Sequence, residues 1–316
     1  MDPLSDVLDR IRLRGCVYFQ RDFSPPWGMA MDAGPVAQFH LVVRGRCWLK
    51  IGEATRQLAT GDIVVFPFGA AHTLFDDPAT APVPGLTVVQ AHQNGQPIFS
   101  GQSPGARLLC GHFELDRDLK HSLIRELPPL IHIRGMSAEQ PSWLEATIAM
   151  LVRESASDQP GAATVVDRLA EVLFVQVLRA HLLASAPSQG FLAALKDRRM
   201  SSALEIIHGN VHTDLTLDAI ARAAGMSRSN LALRFKEVMG VTPMDYVTGW
   251  RMQRASEMLR SSRDSMADVA ERVGYRSEAA FSRAFKRIFD QTPGAFRRGT
   301  MPATIQALPS APGPKG

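Results

Sequence analysis

The sequence has only three cysteines, Cys16, Cys47 and Cys110, among its 316 residues. That is too few for a disulfide scaffold, so each thiol is either a small buried hydrophobe or a group with regulatory or metal-binding chemistry. No apolar run approaches 18 residues, which argues against a membrane-spanning helix, and the opening MDPLSDVLDRIRLRG is too charged for a secretory signal. No membrane partner is expected, and the chain reads as a bacterial-type cytoplasmic protein.

Net charge is also small, +4 overall. Residues 201–300 hold 15 Lys and Arg against 11 Asp and Glu, and the rest of the chain is balanced, so the whole excess lies in one segment. That placement points to an anionic partner there. At 45% hydrophobic content the chain can fill two ordinary cores.

Three parts can be distinguished. From Val17 to about Leu115, strand-length apolar runs such as FHLVVRGRCWLKI, DIVVFPFG, GLTVVQAH and ARLLCGHFEL alternate with turn residues, the pattern of a barrel or sandwich. From about Pro141 to Ala184 the period becomes helical, with Val165, Val166, Leu169, Val172, Leu173 and Val177 forming a stripe that is either core or a dimer face. SAPSQG reads as a linker, and the tail after Met301 as disordered.

The third part contains a repeat. TLDAIARAAGMSRSNLALRFKEVMGVTPMDY (216–246) is echoed by SMADVAERVGYRSEAAFSRAFKRIFDQTPGAF (265–296). Ile220/Val269, Ala221/Ala270 and Gly225/Gly274 pair at an offset of 49; Phe235/Phe285, Lys236/Lys286, Pro243/Pro293 and Tyr246/Phe296 pair at 50. Each copy has the parts of a helix-turn-helix. Thr216 and Ser265 are N-caps, Ser265 with Asp268 forming a capping-box pair; Gly225 or Gly274 makes the turn, and Ser227 or Ser277 caps the second helix. Leu231, Phe235 and Val238, and in the second copy Phe281, Phe285 and Ile288, should face inward.

Two such units, each closing on TP and joined by MDYVTGWRMQRASEMLRSS, resemble the AraC/XylS family of bacterial transcription regulators over roughly Arg199 to Arg298. Arg251, Ala255, Met258 and Leu259 match that family's linker helix, and Gly274, Phe281, Phe285, Lys286, Thr292 and Pro293 its signature. The resemblance implies double-stranded promoter DNA and RNA polymerase as partners. A linker helix of about 18 residues spans about 27 Å, enough with its flanking turns to hold two recognition helices in major grooves about 34 Å apart. On the first recognition helix the candidate base readers are Ser229, Ala232 and Leu233, flanked by Arg228, Asn230 and Arg234; the two apolar residues suit thymine methyls. On the second they are Glu278, Ala279, Ser282 and Arg283 beside the Ser277 cap, with Arg283 suited to guanine or to phosphate. Lys236, Lys286, Arg287, Arg297 and Arg298 are candidates for phosphate contacts or a solvated face.

GDIVVFPFGAAH (61–72) raises a separate question, since G-x5-P-x-G-x2-H resembles the second motif of cupins, whose histidine often binds metal. The first cupin metal motif is missing: its glutamate position is Gln38, and its histidine pair falls among Met29, Met31 and Asp32. A cupin sensor is therefore expected rather than a cupin enzyme, the alternative being a catalytic barrel that the C-terminal part localises. His72 remains. His40 shares strand parity with Gln38 and should point inward, Cys110 and His112 share a parity, and Cys16 opens the first strand. The N-terminal half also resembles cupin domains of AraC-like regulators, including branches that respond to oxidants. Cys16, Cys110 and His112 are thus candidate sensor residues. Cys16, His40, His72 and Cys110 together would suit Zn²⁺, and the two thiols could instead form a disulfide switch.

The expected fold is α+β and multidomain: a cupin-like barrel (1–125), a helical linker or dimerisation region (126–190), an all-α domain with two helix-turn-helix units (191–300), and a disordered tail (301–316). The expected function is a non-enzymatic, sequence-specific transcription regulator, as monomer or homodimer, controlled by an oxidant, metal or small-molecule effector.

Overall fold

A computed structural model describes residues 2–11, 13–114, 122–135, 142–184 and 187–299. The C-terminal tail and the start of SAPSQG lie outside the described residues. Helix α1 (Pro3–Arg10) precedes strands β1 (Arg14–Phe23), β2 (Gly28–Met31), β3 (Ala37–Ile51), β4 (Ala54–Ala59), β5 (Ile63–Phe66), β6 (His72–Phe75) and β7 (Val83–Pro84). Then come α2 (Gly85–Gln93), β8 (Ala106–Glu114), α3 (Ser122–Arg125), β9 (Ile131–Ile133), α4 (Ser142–Glu154) and α5 (Ala162–Ala184).

Strand β3 organises the sheet. Its first half pairs with β5 and β8, its second half with β4 and β6, so one 15-residue strand carries the chain from one sheet to the other and curls the whole into a half-barrel. Both faces are buried along β5, β8 and the first half of β3, whereas β4 and the second half of β3 leave residues in solvent. Val42, Val64, Phe66, Leu108 and Cys110 belong to the interior cluster. On the other face Phe39 stacks on Phe113, which meets Phe174 of α5 at 4.9 Å between ring centres.

Two sequence expectations change here. GLTVVQAH is helix α2, not a strand. Its buried positions, Gly85, Val88 and Val89, recur at three- and four-residue spacing, a period too short-lived in eight residues to outweigh two adjacent valines. In α5 the apolar stripe divides: Val166, Leu173 and Val177 are buried, while Val165 and Val172 are exposed.

The C-terminal half is helical: α6 (Phe191–Lys196), α7 (Arg198–Gly209), α8 (Leu217–Ala223), α9 (Arg228–Met239), α10 (Pro243–Ser261), α11 (Met266–Arg272), α12 (Glu278–Phe289) and α13 (Pro293–Gly299). The caps act where the repeat placed them. Thr216, Ser227, Ser265 and Ser277 each accept a hydrogen bond from a first-turn backbone N–H, and Ser265 and Asp268 complete a capping box. Pro243 begins α10 at the position where a missing N–H costs nothing. In the second unit Phe289 joins Phe281 and Phe285 in the core and Ile288 is only partly buried, because Phe289 stacks on Phe285 at 4.6 Å.

The described residues group into two compact units. Residues 2–11, 122–126 and 187–299 form one; 13–114, 127–135 and 142–184 form the other. Helices α1 and α3 thus belong with the C-terminal helices, whereas boundaries near 125 and 190 would keep them with the barrel. Among the described residues no helix is long and apolar enough to cross a membrane.

The duplicated turn glycines separate two costs. Gly225 (φ 61°) and Gly274 (φ 81°) are both left-handed, but a Cβ at Gly225 would meet nothing within 4 Å, whereas one at Gly274 would lie 2.7 Å from the Val211 carbonyl oxygen. Gly225→Ala should therefore cost only the backbone penalty, about 1–2 kcal/mol. Gly274→Ala should cost clearly more, read by urea denaturation of the two variants side by side; equal losses would contradict the packing difference.

Candidate nucleic-acid interface and sensor site

Helices α9 and α12 each bury one face and leave the other in solvent. Leu231, Phe235 and Val238 are buried in α9, and Phe281, Phe285 and Phe289 in α12. On the outer face of α9, Arg228, Ser229, Asn230, Leu233, Arg234 and Lys236 are exposed and Ala232 is half-buried. Leu233 is 62% exposed, a large apolar side chain left in water at the middle of the helix. Two of the arginines are held by carboxylates: Arg234 donates to Asp197 at 3.1 and 3.3 Å, and Arg228 lies 3.6 Å from Asp218.

On α12 and its cap, Ser277, Glu278, Ala279, Arg283 and Lys286 are exposed and Ser282 is half-buried. At the repeat offset of 50, Arg283 occupies the place of Leu233 and Ser282 that of Ala232. At these equivalent positions the two helices therefore present different chemistry, apolar on α9 and polar or cationic on α12. Linker helix α10, at 19 residues, spans about 28 Å. Its Met252, Ala255 and Leu259 pack into the core of the second unit, and Arg251 donates to the Val211 and Thr213 carbonyls at 3.0 and 2.6 Å.

Inside the half-barrel, register pairs His40 of β3 with Cys110 of β8. Their side chains meet: His40 Nδ1 is 2.9 Å from Cys110 Sγ. His40 Nε2 is 2.7 Å from His72 Nε2, and His72 Nδ1 is 2.7 Å from the Ala70 carbonyl oxygen. The Phe66 ring stacks on His72 at 3.6 Å.

These contacts determine where the protons sit. The Ala70 carbonyl can only accept, so His72 carries its proton on Nδ1 and offers a lone pair at Nε2. His40 must then donate from Nε2, which leaves its Nδ1 as acceptor for the Cys110 S–H. Every member is neutral. Burial holds the His40 imidazole well below its usual range, with His72 adding to the effect, and brings His72 down to about 4. Burial, then the neighbouring Cys47, pushes the Cys110 thiol well above its ordinary value. Cys47 itself is pushed up to about 12, by burial and then Asp62.

The expected zinc quartet is not assembled. His40 stands between Cys110 and His72 and uses one ring nitrogen on each, so the donors form a chain and do not converge. Among the described residues, no group of three or more His, Cys, Asp or Glu could hold a metal ion. Cys16 lies opposite His112, with the Val17–Gly111 row between it and the row in which Cys110 pairs with Phe19. Two residues along the strand and one strand across place the Cys16 and Cys110 Cα atoms about 8 Å apart, beyond disulfide reach without backbone movement. All three cysteines are free. The Cys16 thiol is half-buried and raised to about 11 by burial, then Asp167 and Glu114. His112 stacks on Tyr18 at 5.0 Å between ring centres. At the positions of the missing cupin motif, Met29 and Met31 are buried in the interior cluster and Asp32 is exposed.

Sequence reasoning missed the part played by Cys47, which no local motif marks, and by Phe66, whose stacking on His72 the motif GDIVVFPFGAAH does not announce. It also missed the Asp62 carboxylate, which accepts from the Ala59 and Gly135 backbone N–H groups and lies 3.2 Å from His132 Nε2.

Family comparison agrees with both halves. Residues 2–183 match a family model described as Cupin, and residues 220–299 one described as Helix-turn-helix domain. A Streptomyces lividans protein named as an AraC-like transcription regulator is 34% identical over 309 residues, 96% of this chain and all of that one. The HTH-type transcriptional regulator AlkR of Acinetobacter baylyi is 30% identical over 94% of this chain and 99% of its own. Among solved structures, an AraC-type DNA-binding domain-containing regulator from Chromobacterium violaceum is 28% identical over 33% of this chain and 94% of its own, with a TM-score of 0.32. The chain belongs to the AraC-like transcription regulators, with a cupin N-terminal domain and an AraC-type helix-turn-helix domain.

Proposed function

We propose that the chain is a sequence-specific regulator of promoters whose DNA binding or activation is controlled by a signal sensed in the cupin domain. The observation that carries the DNA reading is the pair of capped helices, α9 and α12, with solvent-facing surfaces of different chemistry joined by one rigid linker helix. Ala232 and Leu233 read thymine methyls in one major groove, with Ser229 and Asn230 beside them. Arg283 reads guanine in the next, with Ser282, Glu278 and Ala279 beside it. Arg228, Arg234, Lys236, Lys286 and the N-terminus of α12 at Ser277 contact phosphates. Arg283 is the strongest base reader because, among the described residues, no carboxylate pairs with it, unlike Arg228 and Arg234.

For the signal, the neutral chain Cys110–His40–His72 favours a small organic effector over a metal or an oxidant. A protonated, fully buried thiol is a poor nucleophile, and the lone pairs do not converge. The protein acts in the cytoplasm with RNA polymerase and catalyses no reaction. Exposed Met150, Val165, Val172 and Leu183 on α4 and α5 support a homodimer as the working form.

Binding to a cognate duplex should weaken steeply as salt rises, through counterion release. Arg283→Ala should cost about 1–3 kcal/mol and relax preference at one base pair. Gel-shift titrations on duplexes varied one pair at a time measure both, and a uniform loss over all sequences would reassign Arg283 to phosphate.

The sensor chain has its own test. Cys110→Ala leaves His40 Nδ1 buried without a donor and should destabilise the cupin domain by about 1–3 kcal/mol, whereas Cys110→Ser keeps a donor and should cost less. Because His40 and His72 have folded pKa values below the unfolded value of 6.5, the unfolded chain binds more protons between them. Stability should be full above about pH 6.5 and fall as pH drops toward 4. Denaturation series at several pH values read this, and a His72→Gln variant that shows the same slope would count against it.

A further inference from the structure

Helix α1, at the far N-terminal end of the chain, packs within the DNA-binding unit. It is capped by Asp2 and buries Pro3, Asp6 and Val7. It packs against α7, and Arg10 reaches the linker helix directly while Asp6 reaches it through His208 of α7. Arg10 Nη1 donates to Glu257 Oε2 at 2.8 Å, and the Arg10 guanidinium lies 5.2 Å from the centre of the Trp250 ring. Asp6 pairs with Arg10 and lies 3.2 Å from His208 Nδ1 of α7. The His208 ring stacks on Trp250 at 3.8 Å, and its Nε2 is 2.9 Å from the Tyr246 hydroxyl.

Tyr246, Trp250 and Glu257 stand at i, i+4 and i+11 on α10, one face spanning three turns. Met252, Ala255 and Leu259 on α10 pack into the core of the second helix-turn-helix. Both partners of the Arg10–Glu257 pair are mostly buried, with 12% and 21% side-chain exposure. A pair in that setting is costly to break, because the remaining charge is left desolvated. The core around α12 is built from α10–α13 residues with no α1 group among them, whereas on the α9 side the Tyr246 ring meets Phe235 at 5.5 Å.

We propose that Asp6 and Arg10 are positioning residues for DNA binding: α1 is a splint on the linker helix that fixes the spacing and angle at which α9 and α12 enter two successive major grooves. This rests on the DNA-binding reading above. Binding of both half-sites by one rigid body is in effect bivalent, and its advantage is lost when the rod between them is free to move. Binding of a single half-site does not depend on that rod. The splint is also the chain segment directly preceding β1, so the first strand of the cupin domain is covalently continuous with the helix that steadies α10.

The test uses the full-length protein and a duplex that the wild-type protein selects from a random-sequence pool, beside the same duplex with one half-site scrambled. Arg10→Ala should weaken the intact site about tenfold or more and the half-site less than about twofold, with Arg10→Lys recovering most of the loss. Glu257→Gln, which alters the pair from the α10 side, should reproduce that asymmetry. Equal losses on both duplexes would show a merely structural role and overturn the proposal, as would no loss on the intact site. Amide hydrogen exchange gives a readout that does not need DNA. Arg10→Ala should raise exchange in α10 while leaving α9 and α12 protected, and unchanged α10 protection would overturn the splint. A wild-type chain that selects no duplex would instead fail the regulator reading itself.

Discussion

The rigidity of α10 is the constraint on which the DNA-binding half depends. An α-helix cannot stretch, so the 19 residues of α10 hold both units on one rod about 28 Å long, a distance close to the rise of one turn of duplex DNA once the flanking turns are added. That distance has a use only if each recognition helix stays fixed against its own unit. Buried phenylalanines supply the anchorage: Phe235 on one side, and Phe281, Phe285, Phe289 and Phe296 on the other, where the rings pack against one another at 4.6–5.8 Å. With the inward face occupied in this way, the outward residues can differ freely. Leu233 and Arg283 hold equivalent places and carry opposite chemistries.

In the cupin half the governing fact is desolvation. Three titratable groups, His40, His72 and Cys110, are buried where none can be charged without large cost, and they remain because each hydrogen-bonds the next. The same geometry explains why, among the described residues, these donors do not converge on one metal position. An imidazole placed between two donors satisfies both and gathers neither. Such a chain is stable while its shape is kept and costly when one link is displaced, a property suited to reporting a change in the packing around it.

The repeat made the DNA-binding half legible in the sequence because its signals are local. Caps, turn glycines and the Thr-Pro helix starts lie within a few residues of the structure they produce, and the structure has them in place at Thr216, Ser227, Ser265, Ser277 and Pro243. Strand parity also sent His40 inward, where it meets Cys110 and His72. It could not place Cys16, whose reach depends on a register shift between Val17 and Phe19 that no periodicity announces. The eight residues of GLTVVQAH were too few to tell a helical period from a strand. The docking of α1 left no trace at all, since Asp6 and Arg10 find His208 and Glu257 across some two hundred residues or more of intervening chain.

Hydroxyl-radical footprinting of one full-length chain on a cognate duplex tests the central claim most directly, that a single chain reads two successive major grooves through α9 and α12. Two protected segments should appear on one face of the duplex, about one helical turn apart. A single protected segment, or two lying on opposite faces, would contradict it.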